Sequence, residues 1–191
     1  TGLGVGGRSS SLSLTHSAVI ALDFRRPSPA LFDDFERYRD AFSPQDEDMW
    51  SGLSAAGRSD VPAYLDWIER SAKNRNLPAG IVPMDTFWVF THGEMAGELT
   101  IRHYIRGSLL TYGGHVGYSV QPKFRGQGVA TAMLHFALDR LRTLGEVEAL
   151  ITCGETNAAS ARVIEKCGGV RIVDGRNTGR VSRRYLIPLS E

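Results

Sequence analysis

Six consecutive residues, Arg125-Gly126-Gln127-Gly128-Val129-Ala130, have the make-up of an anion site. Just before them, His115–Val120 is short, β-branched and aromatic, the composition of a strand. Pro122 ends that run, because it has no amide to give to a ladder. Just after them, Ala130, Met133, Leu134, Ala137, Leu138, Leu141 and Leu144 recur at three- and four-residue steps, the spacing of a helix with one buried face. The first turn of a helix has amides without intrahelical partners, and its macrodipole places about half a positive charge there. Glycines let the backbone approach a phosphate with no Cβ in the way. Strand, glycine turn and helix together predict a pyrophosphate cradle. A nucleotide-hydrolysing P-loop is excluded, since Val129-Ala130 stands where Lys and Ser or Thr are needed. A dinucleotide site would need a different glycine spacing and an acid about 20 residues on.

The elements that must hold this cradle can be read in chain order. Residues 1–18 are rich in Gly and Ser and read as a flexible tail; Gly2, Gly4 and Gly7 match a dinucleotide pattern by chance, with no strand before them. That segment has neither the apolar core nor the cleavage site of a signal peptide. Residues 19–191 read as a single domain with an ample core. Val19–Phe24 is expected as a strand, Leu31–Phe42 as a helix, residues 43–60 as a loop and Val61–Ala72 as a second helix. Thr86–Thr91 and Met95–Ile105 form a hairpin about His92-Gly93-Glu94. Gly145 closes the long helix, and Ala149–Cys153 is a buried strand, parallel to its predecessor because a helix joins the two. A helix over 158–167 follows, then strands Val170–Val173 and Val181–Pro188 around a loop at Asp174–Gly179. With 22 basic and 21 acidic residues, no large field points at nucleic acid or an acidic membrane. No apolar run reaches the roughly 18 residues of a membrane helix. Cys153 and Cys167 are too few for a disulfide framework or a metal site, which suits a cytoplasmic location.

A second motif lies one strand after the glycine turn: Asn157-Ala-Ala-Ser160, leading to Glu165-Lys166-Cys167-Gly168-Gly169. The Arg-x-x-Gly-x-Ala loop resembles the coenzyme A loop of the GNAT acetyltransferase superfamily, and the second motif resembles that family's Asn-x-x-Ser signature. The resemblance spans Thr86 to Pro188. Ile101-Arg102-His103, Gly113–Tyr118 and Cys167-Gly168-Gly169 further resemble a group of bacterial predicted acetyltransferases. It implies an α/β (α+β) fold: a mixed, mostly antiparallel sheet of six to seven strands with one parallel pair, flanked by helices. It also implies acetyl-CoA as co-substrate, an amine acceptor on a small molecule or peptide, no metal, direct attack in a ternary complex, and a monomer or homodimer.

Carried onto this chain, the resemblance makes Arg125, Gly126, Gln127, Gly128, Val129 and Ala130 the pyrophosphate cradle. Tyr118, Ser119 and Val120 would pair with the pantetheine arm, and the Val120 amide would polarise the thioester carbonyl. Asn157 and Ser160 would touch the same arm, although Asn157 also serves as a helix cap. Many relatives carry a tyrosine seven residues after the asparagine as leaving-group acid; Ile164 stands there, leaving Tyr118, Ser160 through water, or solvent. Glu98, His103 and His115 are the base candidates, Glu98 and His115 foremost, since burial raises a carboxylate towards neutrality and histidine titrates there already. Cys153 is read as core. A non-catalytic acyl-CoA-binding or sensory module is the alternative, and the acceptor stays open among peptide N-termini, antibiotics, polyamines and amino acids.

Overall fold

The computed structural model of the protein describes residues 20–43, 60–177 and 179–189. The expected tail over 1–18, Val19 and nearly all of the loop over 43–60 lie outside them. Strand β1 (Asp23–Arg25) and a 3-10 turn at Pro29–Leu31 lead into α1 (Phe32–Asp40), and α2 (Val61–Ala72) follows. Asp60 caps α2 by accepting the Ala63 amide at 3.0 Å, and Val61, Tyr64 and Ile68 form its buried stripe. The hairpin is β2 (Met84–Thr91) and β3 (Glu94–Arg102), turning on His92 at φ 50° and Gly93 at φ 78°. Then come β4 (Val116–Val120), α3 (Val129–Thr143), β5 (Glu148–Gly154), α4 (Ala158–Lys166), β6 (Val170–Asn177) and β7 (Arg180–Pro188).

The strands form two sheets, β1-β2-β3-β4 and β5-β7-β6, and every ladder among the described residues is antiparallel. The expected parallel pair of β4 and β5 is therefore not formed as a ladder. Those strands meet only near their beginnings, where the His115 amide donates to Leu150 O at 2.7 Å and the Leu150 amide donates to His115 Nδ1 at 2.9 Å. A ring takes the acceptor place that a backbone carbonyl would hold, and the ladder goes no further. The last hairpin also differs from expectation: most of Asp174–Gly179 is strand, with a bulge between Ile172 and Gly175. Gly175 is needed there, because a Cβ would fall 2.0 Å from Thr111 O.

The first sheet is a partition between two cores. On one face Val89, Leu99, Ile101 and Val120 pack under α3 through Met133, Leu134 and Leu141. On the other, Phe35 and Tyr38 of α1 and Tyr64 and Ile68 of α2 cover Trp88, Phe90 and Met95. Phe35 stacks on Trp88 with centroids 4.6 Å apart.

Candidate functional site

The end of β4 and the start of α3 build the site. Gln121 donates its amide to Ala96 O at 2.8 Å, the last bond of the β3–β4 ladder. In an antiparallel pair, bonded and non-bonded residues alternate. Val120, opposite Gly97, is thus in a non-bonded pair, and its amide points away from β3 to the edge where β4 carries no ladder. The chain then makes a 3-10 turn at Pro122–Phe124 and passes through Gly126 at φ 75° and Gly128 at φ 85°. Gly128 caps α3 with no side-chain acceptor, and the Ala132 amide bonds back to its carbonyl at 3.0 Å. The amides of the first turn face outward, and nothing lies within 4 Å of where a Cβ would stand on either glycine.

A cleft of about 300 Å³ opens over these amides. One wall is Tyr118, Ser119 and Val120, the floor is Arg125, Gly126, Gly128, Val129 and Ala130, and the far wall is α4 with Asn157 and Ser160. Every expected cofactor residue lines it except Gln127, whose side chain turns away to donate to Lys123 O at 2.7 Å. Sequence reasoning missed Phe124, Thr131, Ala159, Val163 and Lys166, which complete the lining. Helical steps from Ser160 to Val163 and on to Lys166 carried that signal. Asn157 Oδ1 caps α4 by accepting the Ser160 amide at 2.9 Å. Ser160 Oγ lies 2.8 Å from the Tyr118 hydroxyl, and burial pushes that phenol up to about 12, so it stays protonated at neutral pH.

The opposite face of the first sheet carries a second polar group, centred on β3. Glu98, opposite Ser119 in the ladder, is 3% exposed and accepts from Tyr64 OH at 2.9 Å and Trp88 Nε1 at 3.1 Å, both on Oε2. Burial raises its carboxyl to about 7, against the two donors, which pull the other way. Ser119 Oγ lies 2.6 Å from Tyr38 OH, so this strand residue lines the cleft and also meets α1. Glu98 itself does not line the cleft. His115 lies at the other end of β4, its Nδ1 engaged by Leu150, and burial lowers its pKa. His103 Nε2 lies 3.6 Å from Asp85, which also pairs with Arg26 and Arg140. Both histidines stand apart from the cleft lining. Cys153 is buried, which pushes its thiol up and away from thiolate character. Among the described residues no His, Cys, Asp or Glu cluster could hold a metal, and no helix is long and apolar enough to cross a membrane.

The sequence matches the acetyltransferase (GNAT) domain over residues 22–170. This chain belongs to the GNAT acetyltransferase family. A curated relative, the mycothiol acetyltransferase of Thermobispora bispora, is 28% identical over 137 residues, covering 68% of this chain and 45% of its own length. The chain thus spans less than half of that relative. Two solved structures share the GNAT fold. RimJ of Mycobacterium smegmatis, in complex with CoA-disulfide, has a TM-score of 0.68 at 20% identity, covering 87% of this chain and 81% of its own. The ribosomal-protein-S5-alanine acetyltransferase of Vibrio fischeri has a TM-score of 0.69 at 14% identity, covering 89% and 94%.

Proposed function

We propose that this protein is an acetyl-CoA-dependent N-acetyltransferase that acts on a primary amine of a small molecule or peptide by direct attack in a ternary complex. The observation that carries the reading is the single cleft running from the outward amides of α3 to the unladdered edge of Val120. Gly126, Gly128, Val129 and Ala130 hold the pyrophosphate through main-chain donors, and Arg125 adds charge. Gln127 contributes its backbone only. The β4 edge over Tyr118, Ser119 and Val120 pairs with the pantetheine arm, with Asn157 and Ser160 across from it. The Val120 amide then stands at the thioester carbonyl, where it stabilises the oxyanion of the attack.

Two protons must move. The attacking amine gives one up, and Glu98, poised near neutrality, takes it with a water as relay. The departing thiolate takes the other from the hydroxyl of Tyr118, oriented by Ser160, and the phenolate is reprotonated from solvent. His115 is not needed in either step. Ile164, where many relatives have tyrosine, favours a second reading, a non-catalytic acyl-CoA-binding module. Calorimetric titration with acetyl-CoA, CoA and ATP tests the cleft: micromolar binding of the two CoA species and none of ATP is expected. Gly126→Glu fills the cradle with a like charge and abolishes that binding. Wild-type protein that binds neither CoA species overturns the reading. Thiol release with an amine panel separates enzyme from module.

A further inference from the structure

We propose that His115 is a positioning residue for the cofactor cleft, its uncharged ring clipping the two sheets together where the chain crosses from one to the other. The chain crosses between the sheets at Gly113-Gly114-His115. Arg102 of β3 donates from Nη1 to the carbonyls of Gly113 and Gly114 at 3.2 and 3.1 Å. On the other side the Gly113 amide donates to Thr152 Oγ1 at 3.0 Å. Gly114, at φ 58°, lets the crossing press against β5, since a Cβ there would fall 2.3 Å from Leu150 O. His115 then satisfies both backbone groups of Leu150, the carbonyl with its amide and the amide with Nδ1. No other residue joins β4 to β5 in this way among the described residues.

An Nδ1 that accepts a hydrogen bond carries no proton, so the proton of the neutral ring sits on Nε2. That atom faces the Glu146 carboxylate at 3.6 Å and makes no hydrogen bond. The charged groups about the ring are Glu146 after α3, Glu148 at the start of β5 and Arg102 of β3, and Arg184 of β7 lines the same hollow. A second proton on Nδ1 would set two donors head to head and open the clip. The strand then acts as a lever. Five residues at about 3.3 Å each put Val120 about 16 Å from the clip, so a turn of about 4° there moves the Val120 amide about 1 Å. Misplacement on that scale costs about 10²-fold in a reaction that depends on aligned groups.

Only the affinity arm of the test rests on the coenzyme A reading. The full chain is compared with His115→Asn, whose Oδ1 stands where Nδ1 stood and does not titrate, and with His115→Gln and His115→Ala, which offer no acceptor there. By calorimetry with CoA, the Asn variant stays within about threefold of wild type and the other two bind about tenfold more weakly, the effect of leaving a buried amide unpaired. Wild-type affinity falls relative to the Asn variant as the pH drops below 6.5, the ordinary histidine value, towards the depressed value of this ring. Hydrogen exchange at the Leu150 amide is slow in wild type and Asn, fast in Gln and Ala. Should Ala fail to fold, Asn against Gln decides. Equal CoA affinity in Asn and Gln, or a parallel pH profile in wild type and Asn, overturns the proposal. Should wild type bind no CoA, the cofactor reading falls by itself. Leu150 exchange then decides the clip: protection kept in Asn and lost in Gln sustains it, equal protection overturns it.

Discussion

Glu98 is a titratable group held under two aromatic donors, and its replacement by glutamine gives a measurable consequence for folding. Burial raises its carboxyl from 4.5 to about 7, which at about 1.4 kcal/mol per pH unit amounts to about 3 kcal/mol. The folded value lies above the unfolded one, so the folded state binds the extra proton. The stabilisation is therefore complete below pH 4.5 and is lost as the pH rises through about 7. Glu98→Gln keeps an acceptor for Tyr64 and Trp88 and has no charge to desolvate. The stability of the variant relative to wild type should rise by about 3 kcal/mol between about pH 4 and about pH 8. In a chain of this size that is a relative gain of about 6 to 12 °C in melting temperature. Urea denaturation across that range, followed by tryptophan fluorescence, reads it directly. A difference between variant and wild type that does not change with pH would refute the reasoning, because the carboxyl would then titrate alike in both states. Turnover of the variant should fall with CoA affinity unchanged, and wild-type turnover should rise with pH through about 7.

Two further outcomes follow from the cleft. Tyr118→Phe removes the hydroxyl 2.8 Å from Ser160 Oγ, and should lower turnover about 10²-fold while CoA affinity stays within about threefold; steady-state thiol release beside calorimetry separates the two. Ile164→Tyr places a phenol seven residues after Asn157 but should not supply an acid. Ile164 is 0% exposed and its Cγ2 would lie 2.6 Å from a Cβ on Gly169, so the larger ring should destabilise the fold by about 1–3 kcal/mol in a urea melt.

Much of this architecture follows from local pattern. The α2 helix was legible from its periodic apolar residues, and α4 from the cap residue Asn157 before Ala158. The hairpin turn at His92-Gly93 and the glycine turn before α3 were legible for the same reason, since few residues accept those backbone angles. The split of the sheet was not. A helix between two strands argues for parallel neighbours, and nothing in the spacing of His115 tells that its ring would occupy the place of a carbonyl. The extension of β6 was hidden because Asp174, Gly175 and Arg176 have loop composition, while the bulge that admits them depends on Thr111, far away in sequence. On the site, the glycine turn announced its own residues, while Val163 and Lys166 lie at helical steps from Ser160, a pattern that points into the cleft only once the angle of α4 is fixed. The roles of Glu98 and His115 likewise turn on what covers them, Tyr64 for one and Leu150 for the other.

The helical cap over Glu98 has a consequence for timing. Phe35, Tyr38 and Tyr64 keep bulk water from the carboxyl, so its high proton affinity lasts only while α1 and α2 are seated. Lifting the cap hydrates the group and returns it to an ordinary acid, so local opening and proton release become one event. The cap is then held more loosely as the solution becomes more alkaline, and protons in the medium act as its latch.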